Sequence, residues 1–279
     1  MSVGKSHIYL KTRDYFKSLE SFSIVKTEIP GILKTIPIPD HLDSYYDSIN
    51  YLSHIESPNT AIDYIYTFIR NINLKFKTSY LPPILTPAPK LLDYGCGTGD
   101  FLVRASALGY KAEGYEPNEK AADILRKKGI NTIKSIQNID YQYDIITLWH
   151  VLEHIKDPKS ILTSIVDHLK PGGLLLIAIP NYESWDAHHY KSYWAALDTP
   201  RHLWHYNSTG IRNLMAKYPL NYQKKVGQPF DAYYISLLSE RYRKSRIPLL
   251  KALMYGSISN LVAIYKKEFS SNLYIFQRQ

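Results

Sequence analysis

The sequence predicts an α/β domain built on an open, mostly parallel sheet. From residue 90 onward, short apolar runs alternate with segments of helical periodicity. A glycine-rich turn, GCGTG at residues 95–99, follows the first apolar run, and LLLIAI at 174–179 is apolar enough for a strand buried on both faces. This alternation favours right-handed crossovers, and it places ligands beyond the carboxyl ends of the strands.

Five apolar runs are predicted as strands in order: KLLDY (90–94), KAEGYE (111–116), NTIKSI (131–136), YDIITLW (143–149) and LLLIAIP (174–180). Helical patterns separate them. The first pattern places Phe101, Leu102, Ala105 and Leu108 on its inner face and ends at Gly109. Asn118 is a predicted helix cap, and Asp157-Pro158 is the predicted start of another helix. A helix near 208–217, a strand near YQKKV (222–226) and a last strand near NLYIFQ (272–277) follow.

The N-terminal region, positions 1–80, does not join this alternation. It is rich in Tyr and carries isolated helical hints such as Ala61 to Ile72. The segment LPPILTPAPK at 81–90 holds four prolines and is typical of a linker or domain edge. We therefore predict an N-terminal extension over 1–80 and a main domain over 81–279.

Composition limits the compartments in which this protein is expected and shows where its charge lies. The 279 residues are 45% hydrophobic and include one cysteine, Cys96, which excludes an internal disulfide. The N-terminus shows no signal-peptide pattern and no apolar run reaches transmembrane length, so we expect a cytoplasmic protein. The net charge of +9 is local, since residues 205–279 hold 12 Lys/Arg against 3 Asp/Glu, most densely at Arg241, Arg243, Lys244 and Arg246. This region is either a solvated face or a field that attracts anionic substrates, lipid headgroups or nucleic acid.

The glycine turn is flanked by two carboxylates. Asp93 ends the first strand, before Gly95, Gly97 and Gly99, and Glu116 ends the second strand. An acidic residue at that second position binds ribose hydroxyls in nucleotide-binding sheets. The spacing is G-x-G-x-G, and Asp100 stands where a dinucleotide fingerprint has its third glycine, which disfavours a phosphate-bearing dinucleotide. The combination indicates a nucleoside-binding site, with Glu113 as a less favoured alternative to Glu116.

Four segments together resemble the class I S-adenosylmethionine-dependent methyltransferases. They are LLDYGCGTGDF, the Glu116 region EGYEPN, YDIITLWHVLEHIKDP and LKPGGLLLIAIPN. HVLEH is similar to the ubiquinone-biosynthesis-like branch, and DTPRHLWHYN resembles the methyltransferase type 23 subgroup. The resemblance implies a Rossmann-like, doubly wound sheet of seven strands with an antiparallel last strand.

The resemblance also implies S-adenosylmethionine as the cofactor and assigns residues to it. Asp93, Gly95, Gly97 and Gly99 would surround its methionine part, and Glu116 would bind its ribose. Trp149 and His150, at the end of the fourth strand, would line the cofactor or substrate side. Ser135 and Ile136 would face the adenine.

The N-terminal region departs from the resemblance. Relatives of this subgroup often begin with a zinc knuckle of paired cysteines, but Thr27 and Pro30 stand at the corresponding positions here. Because no cysteine precedes Cys96, we expect no metal there. The extension is interpreted as a metal-free remnant that covers the cofactor cleft.

The segment YWAALDTPRHLWHY at 193–206 follows the fifth strand, where the methyl group would be presented. It is predicted as a substrate wall within a cap insertion over about 181–206. Its predicted substrate-binding residues are Trp194, Asp198, Arg201, His202 and His205. Two alternatives stay open: Trp194 and Trp204 anchor the loop while its polar residues satisfy the backbone, or His188, His189, His202 and His205 bind a metal.

Sulfonium methyl transfer requires positioning above all, and a base only for hydroxyl acceptors. His150 and His202 are the candidate bases, whereas Glu153 and His154 are more typical of structural contacts. We expect a methyltransferase for a small-molecule or sugar- or lipid-linked acceptor, and the basic C-terminal quarter favours an anionic one. The alternatives are nucleic-acid methylation with Tyr233 and Tyr234 as stacking groups, and a non-catalytic module that regulates a partner. Oligomeric state stays open.

Overall fold

The computed structural model describes residues 7–46, 71–84 and 88–279. The predicted helical segment from Ala61 therefore lies outside the described residues except for positions 71 and 72. The described chain forms two compact units. One comprises residues 7–46, His150–Pro158 and Ile177–Phe276, and the other comprises 71–84, 88–149, Lys159–Leu176 and Gln277–Gln279.

The helices begin with α1, which includes residues 71–79. The others are α2 Asp100–Ala107, α3 Glu119–Lys127, α4 Pro158–Asp167, α5 Trp185–Tyr190, α6 Ser208–Met215, α7 Asp231–Tyr242 and α8 Pro248–Lys266. The strands are β1 Ile8–Arg13, β2 Ser21–Lys26, β3 Ile32–Ile36, β4 Lys90–Tyr94, β5 Lys111–Tyr115, β6 Tyr143–Trp149, β7 Leu169–Pro180, β8 Trp204–Tyr206, β9 Leu220–Gly227 and β10 Ser271–Arg278.

The larger sheet has the strand order β5-β4-β6-β7-β10-β9. β4 lies parallel to both β5 and β6, with Asp93 opposite Gly114 on one side and Thr147 on the other. β10 runs against β7, because Ser270 accepts a bond from the Asn181 N–H while Gln277 and Arg278 donate to the carbonyls of Gly172 and Leu169. The mostly parallel, Rossmann-like sheet with an antiparallel last strand is confirmed.

The structure corrects the prediction of a strand at 131–136. Among the described residues it contributes one parallel bridge, between Gly114 and Thr132, so the sheet there has six strands and a bridge instead of seven strands. The chain leaves the sheet because Ser135 begins a short 3-10 helix, and its hydroxyl accepts a bond from the Gln137 N–H. Local side-chain to backbone bonding of this kind competes with strand pairing.

A second sheet, absent from the sequence prediction, has the order β1-β2-β3-β8 and is antiparallel throughout. Thr27, one of the two residues at the expected knuckle positions, shapes the β2–β3 turn. Its N–H donates to Ile32 O, and its hydroxyl lies 2.9 Å from the same carbonyl. The N-terminal strand β3 thus pairs with β8, a strand far downstream in the chain. The division after position 80 stays a prediction.

The helix caps follow the sequence closely. The Asn118 side chain accepts a bond from the Ala121 N–H at the start of α3, and α4 begins at Pro158, as predicted. Phe101, Leu102 and Ala105 are buried on α2, whereas the inward prediction for Leu108 is wrong because that side chain is 52% exposed. Leu108 is the C-cap of α2, where the chain turns away from the helix axis. No helix among the described residues has the length and apolar character to cross a bilayer.

Candidate functional site

The glycine turn between β4 and α2 has the geometry that its sequence requires. Gly95, Gly97 and Gly99 have φ values of +79°, +55° and +79°, which side chains with a Cβ rarely adopt. A Cβ at Gly99 would overlap Leu125 and Ile130, so glycine there also permits close packing. A Cβ on Gly97 would meet no described atom within 4 Å. Gly97 thus exposes backbone on an open side, where a ligand can approach the chain.

Asp93 lies at the carboxyl end of β4 and is buried. Its carboxylate accepts a 2.6 Å hydrogen bond from the Thr147 hydroxyl of β6. Burial raises the pKa of Asp93 to about 6, although the Thr147 bond opposes the shift. A buried carboxylate that is close to titration at neutral pH is typical of functional sites.

Glu116 joins the glycine turn to the end of β5. One carboxylate oxygen accepts from the Gly97 N–H at 2.8 Å and the other from the Asn118 N–H at 2.9 Å. Burial raises the pKa of Glu116, and these two bonds oppose that rise. Glu113 instead accepts from the hydroxyls of Tyr141 and Tyr143, each at 2.8 Å. The structure therefore places Glu116, and not Glu113, beside the glycine turn.

Trp149 ends β6 and is 7% exposed, with the Phe101 ring packed against its edge at 5.4 Å between centroids. The Lys77 ammonium lies 4.9 Å from the centre of the Trp149 ring, a cation–π distance. Lys77 also lowers the pKa of Asp93 by its charge, against the larger effect of burial. The sequence did not single out Lys77, because positions 1–80 were set apart from the sheet.

The two residues predicted to face the adenine are placed differently from one another. Ile136 is buried, at 1% exposure. Ser135 caps the short helix that begins there through its hydroxyl. Their contact with a cofactor stays a prediction.

His150 follows Trp149 directly and has φ of +58°, in the left-handed region. Its Nδ1 lies 3.6 Å from a Glu153 carboxylate oxygen, and its Nε2 lies 3.3 Å from Asp231 Oδ2. Burial alone would lower the pKa of His150, but the two carboxylates outweigh it and raise the pKa to about 9. His150 is therefore an imidazolium at neutral pH, which argues against its predicted role as a base there.

Glu153, His154 and His202 form a cluster whose potential ligand atoms all lie within 4.8 Å of one another. His154 Nδ1 lies 3.1 Å from Arg201 O, and His202 Nδ1 lies 2.9 Å from Ala196 O. Because a carbonyl only accepts, each Nδ1 carries a proton, which leaves Nε2 as the acceptor of a neutral ring. This orientation is a feature of many metal-binding and proton-accepting histidines.

The carboxylate of this cluster lies beside a cation, His150. Burial raises the pKa of Glu153, but the contact with His150 outweighs it and the net pKa is lowered, so Glu153 is an anion beside an imidazolium. Burial lowers the pKa of His154 to about 4, so that ring is neutral. The four-histidine metal alternative is wrong as a set. Within the described ranges only His202 of those four joins a ligand-spaced group, while His189 stacks on Trp185 of α5.

The remaining residues of the aromatic segment make internal contacts. Arg201 is 1% exposed and pairs with Asp14 at 3.0 Å and Asp198 at 2.6 Å. Trp194 donates from Nε1 to Asp186 at 2.7 Å, and His205 Nε2 lies 2.9 Å from the Thr35 hydroxyl. Trp204 donates to Ile155 O, which fixes β8 against the residue that directly follows the HVLEH segment. Trp194 and Trp204 make the anchoring contacts of the first alternative, whereas Arg201 and His205 bind side chains outside the segment, at Asp14 and Thr35. Substrate binding by the segment stays a prediction.

The tyrosines named for nucleic-acid stacking do not form a platform. Tyr233 packs over Gly256 of α8, and its hydroxyl lies 3.3 Å from that of Ser257. Tyr234 is 47% exposed on α7. The nucleic-acid alternative therefore loses one of the two aromatic groups on which it depended.

The fold and the site define a class of protein. A family model described as "Methyltransferase domain" matches residues 69–225, and the chain belongs to that family, methyltransferase type 23. Among curated proteins, the ubiquinone biosynthesis O-methyltransferases of Shewanella sp. (strain ANA-3) and Idiomarina loihiensis are 29% and 30% identical to it. These matches cover 33% and 34% of this chain and 44% and 45% of the relatives, so the chain spans less than half the length of the proteins it matches.

Solved structures share the fold. A magnesium protoporphyrin IX methyltransferase from Synechocystis PCC 6803 with bound SAH superposes with a TM-score of 0.54 at 10% identity, covering 85% of this chain and 92% of that one. Coclaurine N-methyltransferase bound to N-methylheliamine and SAH gives 0.52 at 10% identity, covering 80% and 75%. At such identities the likeness concerns the Rossmann-like methyltransferase fold alone.

Proposed function

We propose that this protein transfers a methyl group from S-adenosylmethionine to a small-molecule or sugar- or lipid-linked acceptor. The observation that carries the proposal is the arrangement of Asp93, the open Gly97 backbone and Glu116 at the ends of β4 and β5 in a methyltransferase-family chain. The relatives named as ubiquinone biosynthesis O-methyltransferases favour a hydroxyl on a small molecule as the acceptor.

The cofactor would be held by residues of one unit. Glu116 would accept from the ribose hydroxyls, for which its carboxylate has lone pairs beyond the two that bind Gly97 and Asn118. Asp93 would face the cationic methionine part, which stabilises its ionised form. Gly95, Gly97 and Gly99 would admit the ligand to the backbone, with Trp149 beside it and Ser135 and Ile136 toward the adenine.

When bound, the cofactor supplies an activated methyl on a sulfonium, so the protein acts chiefly by orienting the acceptor and excluding water. For a hydroxyl acceptor, His202 would take the proton on Nε2, since its Nδ1–H is held by Ala196 O. The adjacent Glu153 anion would stabilise the imidazolium that forms. His150, already protonated, would hold Glu153 in its ionised state.

The test is calorimetric titration with S-adenosylmethionine and, separately, NAD. We expect the wild type to bind the methyl donor and not NAD. Glu116→Ala and Asp93→Ala should each weaken binding about 10- to 100-fold, the loss expected when a charged hydrogen-bonding group is removed. Glu113→Ala is the matched control, because Glu113 lies three residues before Glu116, within β5, and binds two tyrosines instead of the glycine turn. Absence of donor binding, or equal binding by all four proteins, would overturn the proposal.

The acceptor is tested next by transfer of radiolabelled methyl to panels of phenols, amines and RNA. We expect label in the phenol panel and its loss in His202→Asn, with donor affinity unchanged. Labelled RNA in the absence of labelled small molecules would overturn the acceptor class while leaving the cofactor assignment intact.

A further inference from the structure

Helix α8 carries an exposed apolar face that the proposed catalytic function does not use. Tyr265, Leu261 and Leu250 are 88%, 68% and 64% exposed. On a regular helix, the exposed apolar side chains fall within an arc of roughly 160°. They are Leu249, Leu250, Leu253, Met254, Leu261, Ile264 and Tyr265. The polar residues on this arc are Ser257 and Asn260, and neither is charged.

The opposite face of α8 is buried and made of small residues: Ala252, Gly256, Ser259 and Ala263. Ser259 donates to Asp186 at 2.8 Å, and Gly256 receives the Tyr233 ring of α7. The rotation of α8 about its axis is therefore fixed by packing, and the apolar side chains of its arc stay exposed, although Ser257 on the same arc lies against the Tyr233 hydroxyl of α7. Large apolar side chains grouped on one exposed face often mark an interaction surface.

Charge around this helix is mainly positive, although Glu240 and Glu268 lie directly before and after the segment 241–267. Residues 241–267 contain seven cationic residues and no Asp or Glu. They are Arg241, Arg243, Lys244, Arg246, Lys251, Lys266 and Lys267. Four precede α8 and two lie at its end, so the cations bracket the apolar arc from both sides. Two of them face an acid, since Arg243 and Lys251 lie 3.9 and 3.6 Å from Glu240.

We propose that α8 and these cations bind the surface of a bilayer that contains anionic lipids, with the apolar arc seated among the headgroups. A helix with an apolar face, a basic surround and an aromatic residue at its margin is the form that lies in the plane of a membrane. The positive charge also favours an anionic bilayer over a second copy of the chain as the partner of this face. Pairing two α8 faces would bring both sets of seven cations together, and the acid that lies beside two of them, Glu240, offsets only part of that charge.

The binding is tested by co-sedimentation of the full chain with vesicles of phosphatidylcholine alone or of phosphatidylcholine mixed with the anionic lipid phosphatidylglycerol. We expect sedimentation with the anionic vesicles only, and release at high salt, because the cationic contribution is screened. Each lysine or arginine near such a surface changes the partition about fivefold. Lys244→Gln with Arg246→Gln should therefore weaken binding about 25-fold. The exposed pair Lys111→Gln with Lys127→Gln is the control for charge, and it should leave binding close to that of the wild type.

The apolar contribution is tested with Leu250→Ser and Leu261→Ser combined, which should abolish sedimentation. The control pair, Val103→Ser and Leu108→Ser, removes side chains that are similarly exposed on and beside α2, at 49% and 52%. The proposal fails if the wild type does not bind anionic vesicles, or if both pairs affect binding equally. It also fails if analytical ultracentrifugation shows that the wild type is a dimer and that only Leu250→Ser with Leu261→Ser makes it a monomer. The apolar face of α8 would then join two copies of the chain. None of these outcomes depends on methyl transfer, so they can be told apart from failure of the proposed function.

Discussion

The charged side chains of this chain differ in their solvent exposure, and the contribution of each ion pair to stability depends on that exposure. Arg201 is sealed between Asp14 and Asp198, while Lys170 pairs with Asp144 at 2.8 Å with both side chains substantially exposed. Sequence alone assigned Arg201 to the substrate, because an arginine in an aromatic loop is a plausible anion ligand. Its burial against Asp14, 187 positions earlier, is a tertiary contact that no local pattern reveals.

Replacement of Arg201 tests this difference. Arg201→Met should lower the free energy of unfolding by about 3–5 kcal/mol, since it leaves the buried Asp14 carboxylate without its cationic partner. Lys170→Met, at the exposed pair, should cost about 1 kcal/mol or less. Urea unfolding followed by circular dichroism measures both. Equal losses in the two variants would show that Arg201 is not in a buried pair.

His150 gives a pH dependence whose direction follows from its charge. Its pKa is raised from an ordinary 6.5 to about 9, so its protonated form stabilises the fold. That contribution is complete below about pH 6.5, the value for an unfolded chain, and is lost as the pH rises through about 9. The stability difference between wild type and His150→Asn should therefore shrink from pH 6 to pH 10. Asparagine is chosen because it tolerates the left-handed backbone at this position.

Thermal unfolding over that pH range measures the difference. His41→Asn, at an exposed position, controls for the new amide. A His150→Asn penalty that stays constant or grows toward pH 10 would contradict the charge state assigned to His150.

At the scale of elements, the helix caps and the glycine turn follow directly from local sequence. The four-stranded sheet does not, because β3 and β8 lie far apart in the chain, and a close backbone approach lies at the end of their pairing. Gly31 O accepts from the Asn207 N–H at 3.0 Å, and the Asn207 side chain caps α6 through the Gly210 N–H at 2.7 Å. A Cβ on Gly210 would overlap the Gly31 carbonyl.

Gly210→Ala should thus destabilise the protein by about 1–3 kcal/mol, the range for an added methyl in a packed site, although alanine favours helices. Thr209→Ala, one position earlier and exposed, should change stability little. Denaturant titration of both variants checks this. Stabilisation by Gly210→Ala would mean that α6 does not pack against the Gly31 turn.

At the scale of the whole molecule, ligand binding can be measured as a change in the melting temperature of the chain. If S-adenosylmethionine binds the folded state alone, a hundredfold excess over its Kd adds about 2.7 kcal/mol to stability. The melting temperature should then rise by about 4–8 °C for a chain of this size. Glu116→Ala should show a much smaller rise at the same ligand concentration, whereas Glu113→Ala should respond like the wild type. An equal rise in both variants would place the ligand elsewhere.

Local sequence was sufficient to predict the parallel sheet, the glycine turn with its two carboxylates, the caps of α3 and α4 and the basic C-terminal quarter. Periodicity, backbone conformation and charge act within a few residues of one another, so a pattern of residue types reveals them. The β1-β2-β3-β8 sheet, the raised pKa of His150, the internal contacts of Arg201 and His205 and the orientation of α8 became visible only in the folded chain. Each of these depends on partners that are distant in the chain, and the spacing of residue types does not reveal which distant residues meet.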